Sequence, residues 1–455
     1  MSSLFGTFSI ALQSLQATQG ALSATTDNIA NVNTPGFSRR RAVLMEEIPE
    51  VQQGITFGRG VRLQRIEIVR DEMLDLRLDA EAQDHGAAQA KVDALQPLDA
   101  ALSDLDNGLT TRLAAFFNAL SSLAAQPTSV PMRQSALTAA SNLVTGFNQT
   151  SQKVTQMRAN LDYQVAQSVA DLNQKVGEIA RLNSEVNRIQ STGGDASTYL
   201  DQRTTAVQQL SELADVAIVQ SDDGLTITTG RGTALVVGGN SYALQSAPDA
   251  DDHQRVLSAG ADITSEFAGG KLGAQLSVRD QDMLSAVNDL DSVAFAFANA
   301  VNQAHAMGFD LNGDEGGQFF VVGSSAAGTA ASIGVAISDP REIAASSNAD
   351  SGSNGNLASI LGVKGAALIN GQSGADFLSA ISFRVGSAAA ESQAQLEATA
   401  SIQAQLESQR AGISGVSLDE EAANLMRFQR AYQAAARVID TANQMLELAC
   451  NLGKV

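Results

Sequence analysis

Apolar residues at both ends of the chain recur in alternating steps of three and four. This spacing places side chains on one stripe of a helix and is typical of a coiled-coil seam. We therefore predict an N-terminal and a C-terminal helix that pair through such seams. The predicted N-terminal seam consists of Leu4, Phe8, Ala11, Leu15, Leu22, Ile29 and Val32. The predicted C-terminal seam consists of Leu418, Ala422, Leu425, Phe428, Tyr432, Ala436, Ile439 and Leu446.

Both predicted seams are weak, because small or polar residues such as Thr18 and Thr25 share the stripe with the larger apolar ones. Helix nucleation is costly, and a buried Leu or Phe stabilises a helix only when a partner surface covers it. We expect the terminal helices to become ordered when copies of the chain assemble. The sequence Asn33-Thr34-Pro35-Gly36 predicts the end of the first helix, and Ser417 with Glu420 predicts a capping box at the start of the last.

The middle of the chain reads as helix interrupted by a short stretch of strands. Runs rich in Val, Ile, Leu and Thr are separated by turns containing Gly and predict strands. The predicted helical ranges are 71–190, with Pro97 and Pro127 as interruptions, then 199–213, 272–305 and 376–412. The predicted strands are 216–219, 225–228 and 234–237, with further short ones near 319–322 and 333–337. The predicted fold class is mainly α with a small β insertion: paired terminal helices, an elongated helical-bundle middle domain and an inserted small β domain.

Charge and composition narrow the classes of partner. The chain has 29 Lys and Arg against 49 Asp and Glu, a net charge of −20. Binding to phosphate groups needs clustered basic residues, so we expect neither nucleic acid nor an anionic membrane as partner. No stretch has the length and apolarity of a membrane span, and the first basic residue is Arg39, so a cleaved secretory leader is not predicted. Cys450 is the only cysteine and predicts no internal disulfide.

Candidate chemistry is sparse. His85, His253 and His305 do not lie in pairs with metal-ligand spacing, and the sequence has no P-loop, no GxSxG elbow and no GxGxxG loop. Asp310-Leu311-Asn312-Gly313-Asp314-Glu315 begins like a calcium-binding EF-hand loop. However, Glu315 stands where that loop needs Gly, and Val321 stands where it needs a bidentate Glu. We predict no catalytic residues, no metal site, no cofactor and no enzymatic activity.

Two terminal motifs carry a resemblance to a known family. The segment Asn28-Ile29-Ala30-Asn31-Val32-Asn33-Thr34-Pro35-Gly36-Phe37 resembles the N-terminal signature of flagellar rod, hook and hook-associated proteins, the axial family. The segment from Gly415 to Ile439 resembles the C-terminal signature, and its lead Asp-Glu-Glu-Ala-Ala-Asn favours the hook-associated branch. Internal segments at 199–203, 269–273 and 301–305 are similar to the same branch in order and spacing.

The resemblance implies a structural subunit at the junction between hook and filament. It implies polymerisation through the two terminal helices and export by the flagellar type III apparatus without a cleaved leader. The implied partners are other copies in one helical layer, the hook protein, hook-associated protein 3 toward flagellin, and a cytosolic export chaperone on the C-terminal helix. The implied location is extracellular, in the flagellum. The implied turn motif that redirects the chain consists of Asn31, Asn33, Thr34, Pro35, Gly36 and Phe37.

The predicted organisation has five segments. Two of them, residues 1–45 and 413–455, are the helices of an inner tube domain. Residues 46–215 and 271–412 are two parts of a helical domain, and residues 216–270 are the β insertion. Two alternatives remain open at this point: another axial subunit, such as the hook or distal rod protein, and an axial protein with an enzymatic insertion.

Overall fold

The computed structural model describes residues 2–52, 55–103, 107–221, 223–350 and 352–452. Helix accounts for 65% of the chain, which confirms the predicted mainly α class. A π-helical turn, Val278–Met283, joins two of the helices. The helices are α1 (Ser2–Ala30), α2 (Glu72–Leu102), α3 (Leu109–Ala125), α4 (Val130–Ser191), α5 (Ser197–Leu213), α6 (Gly270–Ser277), α7 (Leu284–His305), α8 (Thr329–Ser332), α9 (Gly355–Gly362), α10 (Gly374–Ser414) and α11 (Leu418–Leu452).

The strands are short and form small antiparallel sheets. They are β1 (Arg40–Glu46), β2 (Glu50–Gln52), β3 (Ile55–Phe57), β4 (Val61–Ile68), β5 (Val216–Ser221), β6 (Gly224–Thr229), β7 (Ala234–Val237), β8 (Asn240–Ser241), β9 (Gln245–Pro248), β10 (Gln254–Ser258), β11 (Ala261–Asp262), β12 (Phe320–Val321) and β13 (Gly334–Val335). Strand β1 pairs with β4, β2 with β3, and β12 with β13. The larger sheets have the orders β5-β6-β7-β8 and β11-β10-β9.

The described chain divides into two compact units. We call the first the terminal unit, formed by Met1–Gln83, Asp171–Ala243 and Ala400–Val455. The second is the middle unit, formed by Asp84–Ala170 and Leu244–Thr399. Strands β5 to β8 therefore lie in the terminal unit and strands β9 to β11 in the middle unit. The division into five segments remains a prediction.

In the terminal unit, α1 packs against α11 and against the hairpin of β1 and β4. Gly20 allows the close approach of α1 to β4, since a Cβ atom there would lie 2.5 Å from Cδ2 of Leu63. The register of the β1–β4 pairing shifts between Val43 and Leu44, which indicates a β-bulge. The strands of this hairpin were not predicted from the sequence.

The middle unit has a large apolar core at which helices α3, α4, α7, α9 and α10 contribute side chains. Phe116 lies at its centre, in edge-to-face contact with Phe297 at 5.7 Å and Phe319 at 5.8 Å between ring centroids. Aromatic pairs in this geometry add to the stabilisation from burial itself, which is about 1.5–3 kcal/mol for a Phe or Leu side chain. The middle unit therefore has what the predicted terminal seams lack, a core of large apolar residues.

One predicted interruption is wrong. Pro97 lies inside α2, which continues to Leu102. Proline removes one helical hydrogen bond, but Pro97 is exposed, so water can satisfy the freed carbonyl. Its neighbours Leu95 and Leu98 are buried in the core of the middle unit and hold the helix in place.

Candidate assembly site

The N-terminal helix buries a face of small residues. Of the predicted N-terminal seam, Ala11 is buried, whereas Phe8, Leu15, Leu22, Ile29 and Val32 are half-buried. The side chain of Leu4 lies outside the described residues. In the part of α1 whose side chains the structure describes, the buried residues are Ala11, Ala17, Thr18, Ala21, Ala24, Thr25 and Asn28. Ala and Thr remove little apolar area from water, so the contacts of α1 within one chain stabilise it only modestly.

The C-terminal helix shows a related arrangement. Leu425, Phe428, Ala436, Ile439 and Leu446 of its predicted seam are half-buried, whereas Leu418, Ala422 and Tyr432 are exposed. The residues of α11 that are buried in the described part are Glu421, Ala435 and Ala442. Ala435 and Ala442 are seven residues apart, as in a heptad repeat, and Ala435 is the neighbour of predicted Ala436. The buried stripe is thus displaced from the predicted one by one residue at these positions.

Apolar residues remain exposed along the helix pair. On α11, Val438 is 42% exposed, Met445 51% and Leu448 64%, and on α1 Phe5 is 59% exposed. A groove of about 280 Å³, lined by Thr7 of α1 and by Val438, Thr441 and Met445 among residues of α11, runs along this surface. Exposed apolar side chains beside a groove are typical of an interaction surface.

The turn after α1 is closed by its own side chains and backbone. The Asn31 side-chain amide donates to the Asp27 carbonyl at 3.0 Å, and its Oδ1 accepts from the Thr34 hydroxyl at 3.1 Å. Gly36 has φ +78°, a conformation that L side chains rarely adopt, and a Cβ there would lie 2.5 Å from Oγ1 of Thr205. Of the other predicted turn residues, Asn33 and Pro35 are exposed and Phe37 is half-buried. The turn therefore requires glycine at position 36.

Asn28, which lies in the quoted motif but not among the predicted site residues, is the buried anchor of this region. It is 1% exposed. Its Oδ1 accepts from the Arg40 backbone N–H at 2.8 Å, and its Nδ2 donates to the Arg40 carbonyl at 2.9 Å. The two bonds satisfy both backbone groups of the first residue of β1. In the sequence, the feature that could have indicated this role is a polar Asn on a helix face of otherwise small residues.

Arg39 connects the N-terminal motif to the C-terminal one. Its Nε donates to Oε1 of Glu421 at 2.8 Å, and its NH1 lies 2.9 Å from Oε2 of Glu420. The Arg39 backbone N–H donates to the carbonyl of Ser414 at 2.9 Å, at the end of α10. The Glu420 N–H donates to the Ser417 hydroxyl at 3.5 Å, which is one half of the predicted capping box. The acidic lead of the C-terminal motif thus binds the arginine that follows the N-terminal motif.

The neighbouring Arg40 is fixed by three different contacts. Its guanidinium forms an ion pair with Asp27 and donates to Oγ1 of Thr198 at 2.9 Å. It also lies over the ring of Phe37, 5.0 Å from the centroid, a cation–π contact. These contacts join the turn to the start of α5.

The internal segment at residues 199–203 contributes two buried charged groups. Asp201 accepts from the backbone N–H of Ser38 at 3.4 Å, and burial raises the pKa of its carboxyl. Arg203 donates to Oδ1 of Asn183 at 3.0 Å, and burial, followed by the charge of Arg70, lowers its pKa to about 10. Asn183 in turn donates to the carbonyl of Leu225 in β6 at 2.9 Å. The segment therefore ties α5 to the turn and, through α4, to the four-stranded sheet.

A second charged cluster lies where α2 and α10 meet in the terminal unit. Arg70 donates to Asp75 at 2.6 Å, and Nε of Arg410 lies 3.6 Å from the same carboxylate. Asp79, one turn further along α2, is 8% exposed. Burial, and then the nearby charge of Asp75, raise the pKa of Asp79 to about 7.

The segment at residues 301–305, which is similar to the hook-associated branch, binds backbone groups of neighbouring segments in the middle unit. Asn302 accepts from the backbone N–H groups of Phe319 and Phe320 at 2.9 and 2.8 Å, which places both rings in the core of the middle unit. Nδ1 of His305 donates to the carbonyl of Gly317, and its Nε2 accepts from the N–H of Ala344, both at 2.8 Å. Burial lowers the pKa of this imidazole.

The loop that begins like an EF-hand uses its first carboxylate internally. Oδ1 of Asp310 accepts from the backbone N–H groups of Asn312 and Asp314, at 2.7 and 2.9 Å. Gly313 has φ +89°, so the loop is a tight turn. Among the residues that the structure describes, no group of three His, Cys, Asp or Glu side chains is placed to hold a metal ion.

No helix in the described ranges has the length and apolarity needed to cross a membrane.

Three family models match separate parts of the chain. They are a flagella basal body rod protein model at residues 8–37, a flagellar hook-associated protein FlgK helical domain model at residues 95–320, and a flagellar basal body rod FlgEFG protein C-terminal model at residues 408–452. The two terminal matches contain the two motifs joined by Arg39, and the central match covers about half of the chain.

Curated relatives agree over nearly the whole length. Flagellar hook-associated protein 1 of Escherichia coli (strain K12) is 26% identical, across 97% of this chain and 98% of that protein. Flagellar hook-associated protein 1 of Bacillus subtilis (strain 168) is 27% identical, across 99% of each. The solved structure of the flagellar hook junction protein FlgK from Burkholderia pseudomallei has the same fold, with a TM-score of 0.67 at 17% identity over 74% of this chain and all of that one. The motifs at both ends, the helical domain between them and the full-length relatives together show that this chain belongs to the flagellar hook-associated protein 1 (FlgK) family.

Proposed function

We propose that this chain is a structural subunit of the bacterial flagellum, at the junction between hook and filament. The observation that carries the proposal is the contact of Arg39 with Glu420 and Glu421. It joins the motif shared by axial proteins to the acidic lead that favours the hook-associated branch. Family membership and the full-length relatives support the same function.

The proposed mechanism is polymerisation through the terminal helices. Within one chain, α1 and α11 bury mainly Ala and Thr and leave Val438, Met445 and Leu448 exposed. A neighbouring copy that covers this surface would contribute roughly 25 cal/mol for each Å² of apolar area removed from water. The half-buried members of both predicted seams are the residues we assign to that contact. The contacts of Asn28, Arg39 and Arg40 hold the helix pair to the rest of the terminal unit.

The proposed partners follow the order of the axial structure. Copies of the chain form one helical layer, with the hook protein on one side and hook-associated protein 3 on the side toward flagellin. The chain is exported by the flagellar type III apparatus without a cleaved leader, and a cytosolic chaperone covers α11 before export. Exposed apolar residues on α11 are a suitable surface for such a chaperone.

We infer that the chain has no enzymatic activity. The carboxylate of Asp310 accepts from backbone N–H groups of its own loop, and the imidazole of His305 binds the backbone of Gly317 and Ala344. Their roles are therefore in folding. Assaying the purified chain for bound zinc and for proteolysis tests this inference, and stoichiometric zinc would contradict it.

Deletion of the gene in its own host tests the proposed function. Electron microscopy should show hooks without filaments, and flagellin should accumulate in the medium. Expression of the intact chain from a plasmid should restore filaments. Normal filaments in the deletion strain would contradict the proposal.

A further inference from the structure

Helix α11 carries four charged residues that are exposed and that form no ion pair with any residue the structure describes. They are Arg430, Arg437, Asp440 and Glu447. Arg430 and Glu447 have no opposite charge within four positions along the helix, so their own helix cannot pair them. Arg437 and Asp440 are three residues apart, but in the described structure they do not form a pair. The described part of the single chain thus provides these charges with no partner.

The four charges lie on the side of α11 that faces away from its buried stripe. Ala435 and Ala442 mark that stripe. A helix turns about 100° per residue, and each charged residue is two or five positions from one of these alanines, which places it about 140–160° around the helix. The four side chains are therefore accessible to another molecule.

The two basic residues and the two acidic residues have matching spacings. Arg430 and Arg437 are seven residues apart, as are Asp440 and Glu447, and the acidic pair follows the basic pair by ten residues. Two parallel α11 helices shifted by ten residues, about 15 Å along the axis, would place each arginine opposite a carboxylate. Without the shift, arginine would lie opposite arginine and carboxylate opposite carboxylate. The charges of α11 thus favour a shifted copy of the same helix and disfavour an unshifted one.

We propose that this charged face of α11 binds α11 of a neighbouring copy, parallel to it and displaced by ten residues. Arg430 and Arg437 of one copy pair with Asp440 and Glu447 of the next, whose own arginines remain available to a third. Such a contact joins two different parts of one surface, so it can continue from copy to copy. The inference rests on the proposed function and adds to it the register of neighbouring copies.

Two observations favour a second copy over another kind of partner. The match in sign and spacing is a property of α11 toward itself, whereas a partner surface of uniform charge would be repelled by one half of this face. Arg437 also lines the groove that contains Val438 and Met445, so the charged face borders the apolar surface already assigned to contacts between copies. Exposed ion pairs contribute little affinity individually, and their role here is to select the register.

Charge reversal in the deletion strain tests the pairing. The acidic variant combines Arg430→Glu with Arg437→Glu, and the basic variant combines Asp440→Arg with Glu447→Arg. Each alone places like charges opposite each other and should restore at least about tenfold fewer filaments than the native chain. Expressed together, the two variants should restore filaments, because the face of one is complementary to the face of the other. A variant with all four reversals should restore filaments on its own.

Arg181→Glu with Arg188→Glu is the matched control. These two arginines are exposed and seven residues apart on α4, and their reversal changes the net charge as much as the acidic variant does. The control should restore filaments fully. Normal filaments with each reversed variant alone, equal loss in the control, or no recovery with co-expression and with all four reversals would overturn the inference. Failure of the native chain to restore filaments would instead contradict the proposed function itself.

A cross-link measures the register directly. In a Cys450→Ser background, chains with Arg437→Cys and chains with Glu447→Cys are expressed together, and the isolated flagella are treated with a short bismaleimide. Mass spectrometry should find position 437 of one copy joined to position 447 of another, and Arg437→Cys chains alone should give no dimer. Flagella in which position 437 joins position 437, or in which no dimer forms, would overturn the inference and leave the proposed function intact.

Discussion

Arg39 and Glu421 are 382 residues apart in the sequence, yet the Arg39 Nε donates to the Glu421 carboxylate at 2.8 Å. The Glu421 side chain is 2% exposed and that of Arg39 is 25% exposed. A carboxylate so deeply buried needs a paired charge to offset its desolvation. This single contact explains why an acidic residue occupies the buried stripe of α11, where the apolar spacing predicted Ala422 instead.

Arg39→Ala should therefore destabilise the terminal unit. Loss of one partner of a buried pair costs about 3–5 kcal/mol, and the partial exposure of Arg39 reduces the expected loss to about 2 kcal/mol. Hydrogen exchange of α11 in the purified chain measures this effect. Arg39→Ala combined with Glu421→Ala should recover part of the loss, because no unpaired carboxylate remains.

The control for this prediction is Arg41→Ala. Arg41 is 68% exposed and pairs with Glu67 at the surface, and such pairs contribute about 0–1 kcal/mol. Equal destabilisation by the Arg39 and Arg41 substitutions would show that the ion pairs between the two motifs stabilise the terminal unit no more than a surface pair does.

Val438→Asp should leave the chain folded and prevent its incorporation into flagella. Val438 is 42% exposed in the groove along the helix pair, so a charge there costs little in one chain but would be buried in a contact between copies. Filament restoration in the deletion strain, counted by electron microscopy, is the measurement. Ile402→Asp is the matched control, because Ile402 is 44% exposed on α10 and lies outside the groove. Normal filaments with Val438→Asp would contradict the assignment of the groove.

Gly36→Ala should destabilise the turn by about 1–3 kcal/mol, since φ is +78° and the new Cβ would meet Thr205 Oγ1 at 2.5 Å. Thermal unfolding of the purified chain measures the loss. Thr205→Ala should restore the part due to the collision but not the part due to the backbone conformation. Gly6→Ala, in α1 with no atom within 4 Å of its Cβ, should be neutral or stabilising.

The stability of the terminal unit should depend on Asp79 in a defined pH range. Its folded pKa is about 7, above the unfolded value of 3.8, so the folded state favours the protonated carboxyl. The stability associated with this proton is complete below pH 3.8 and is lost as the pH rises through 7. Asp79→Asn should therefore stabilise the unit at pH 8 by up to about 4 kcal/mol and change little at pH 4. Urea unfolding at both pH values is the test.

Asp84→Asn, on the same helix at an exposed position, provides the comparison for Asp79. It should leave the pH dependence unchanged. A difference between native chain and Asp79→Asn that is the same at pH 4 and pH 8 would show that the carboxyl does not titrate in this range.

Long periodic helices and short β-branched strands were predictable because their signals are local. The spacing of apolar residues predicts α1 and α11, and Pro35 with Gly36 predicts the end of α1, which the structure places at Ala30. Strands β5, β6 and β7 lie where runs such as Val216–Val219 indicate them.

Features that depend on distant partners were not predictable from one sequence. The β1–β4 hairpin contains many charged residues, and its Leu63 lies close to Gly20 of α1, a contact between segments that are distant in the sequence. The polar Asn28 on a face of small residues indicates a special role, but its two bonds to the backbone of Arg40 depend on a partner that the local pattern does not identify. Likewise, the burial of Glu421 on α11 accompanies its pairing with Arg39, from the other end of the chain.

Hydrogen exchange of α1 and α11 before and after incorporation into flagella tests the central claim most directly. The terminal helices bury mainly small residues in the single chain, and we propose that neighbouring copies cover the rest of their apolar surface. Their amides should therefore become at least about 100-fold more protected on assembly, while α3 and α7 in the core of the middle unit stay unchanged. Terminal helices that are already as protected as α7 in the isolated chain, or that gain no protection in the flagellum, would contradict the account.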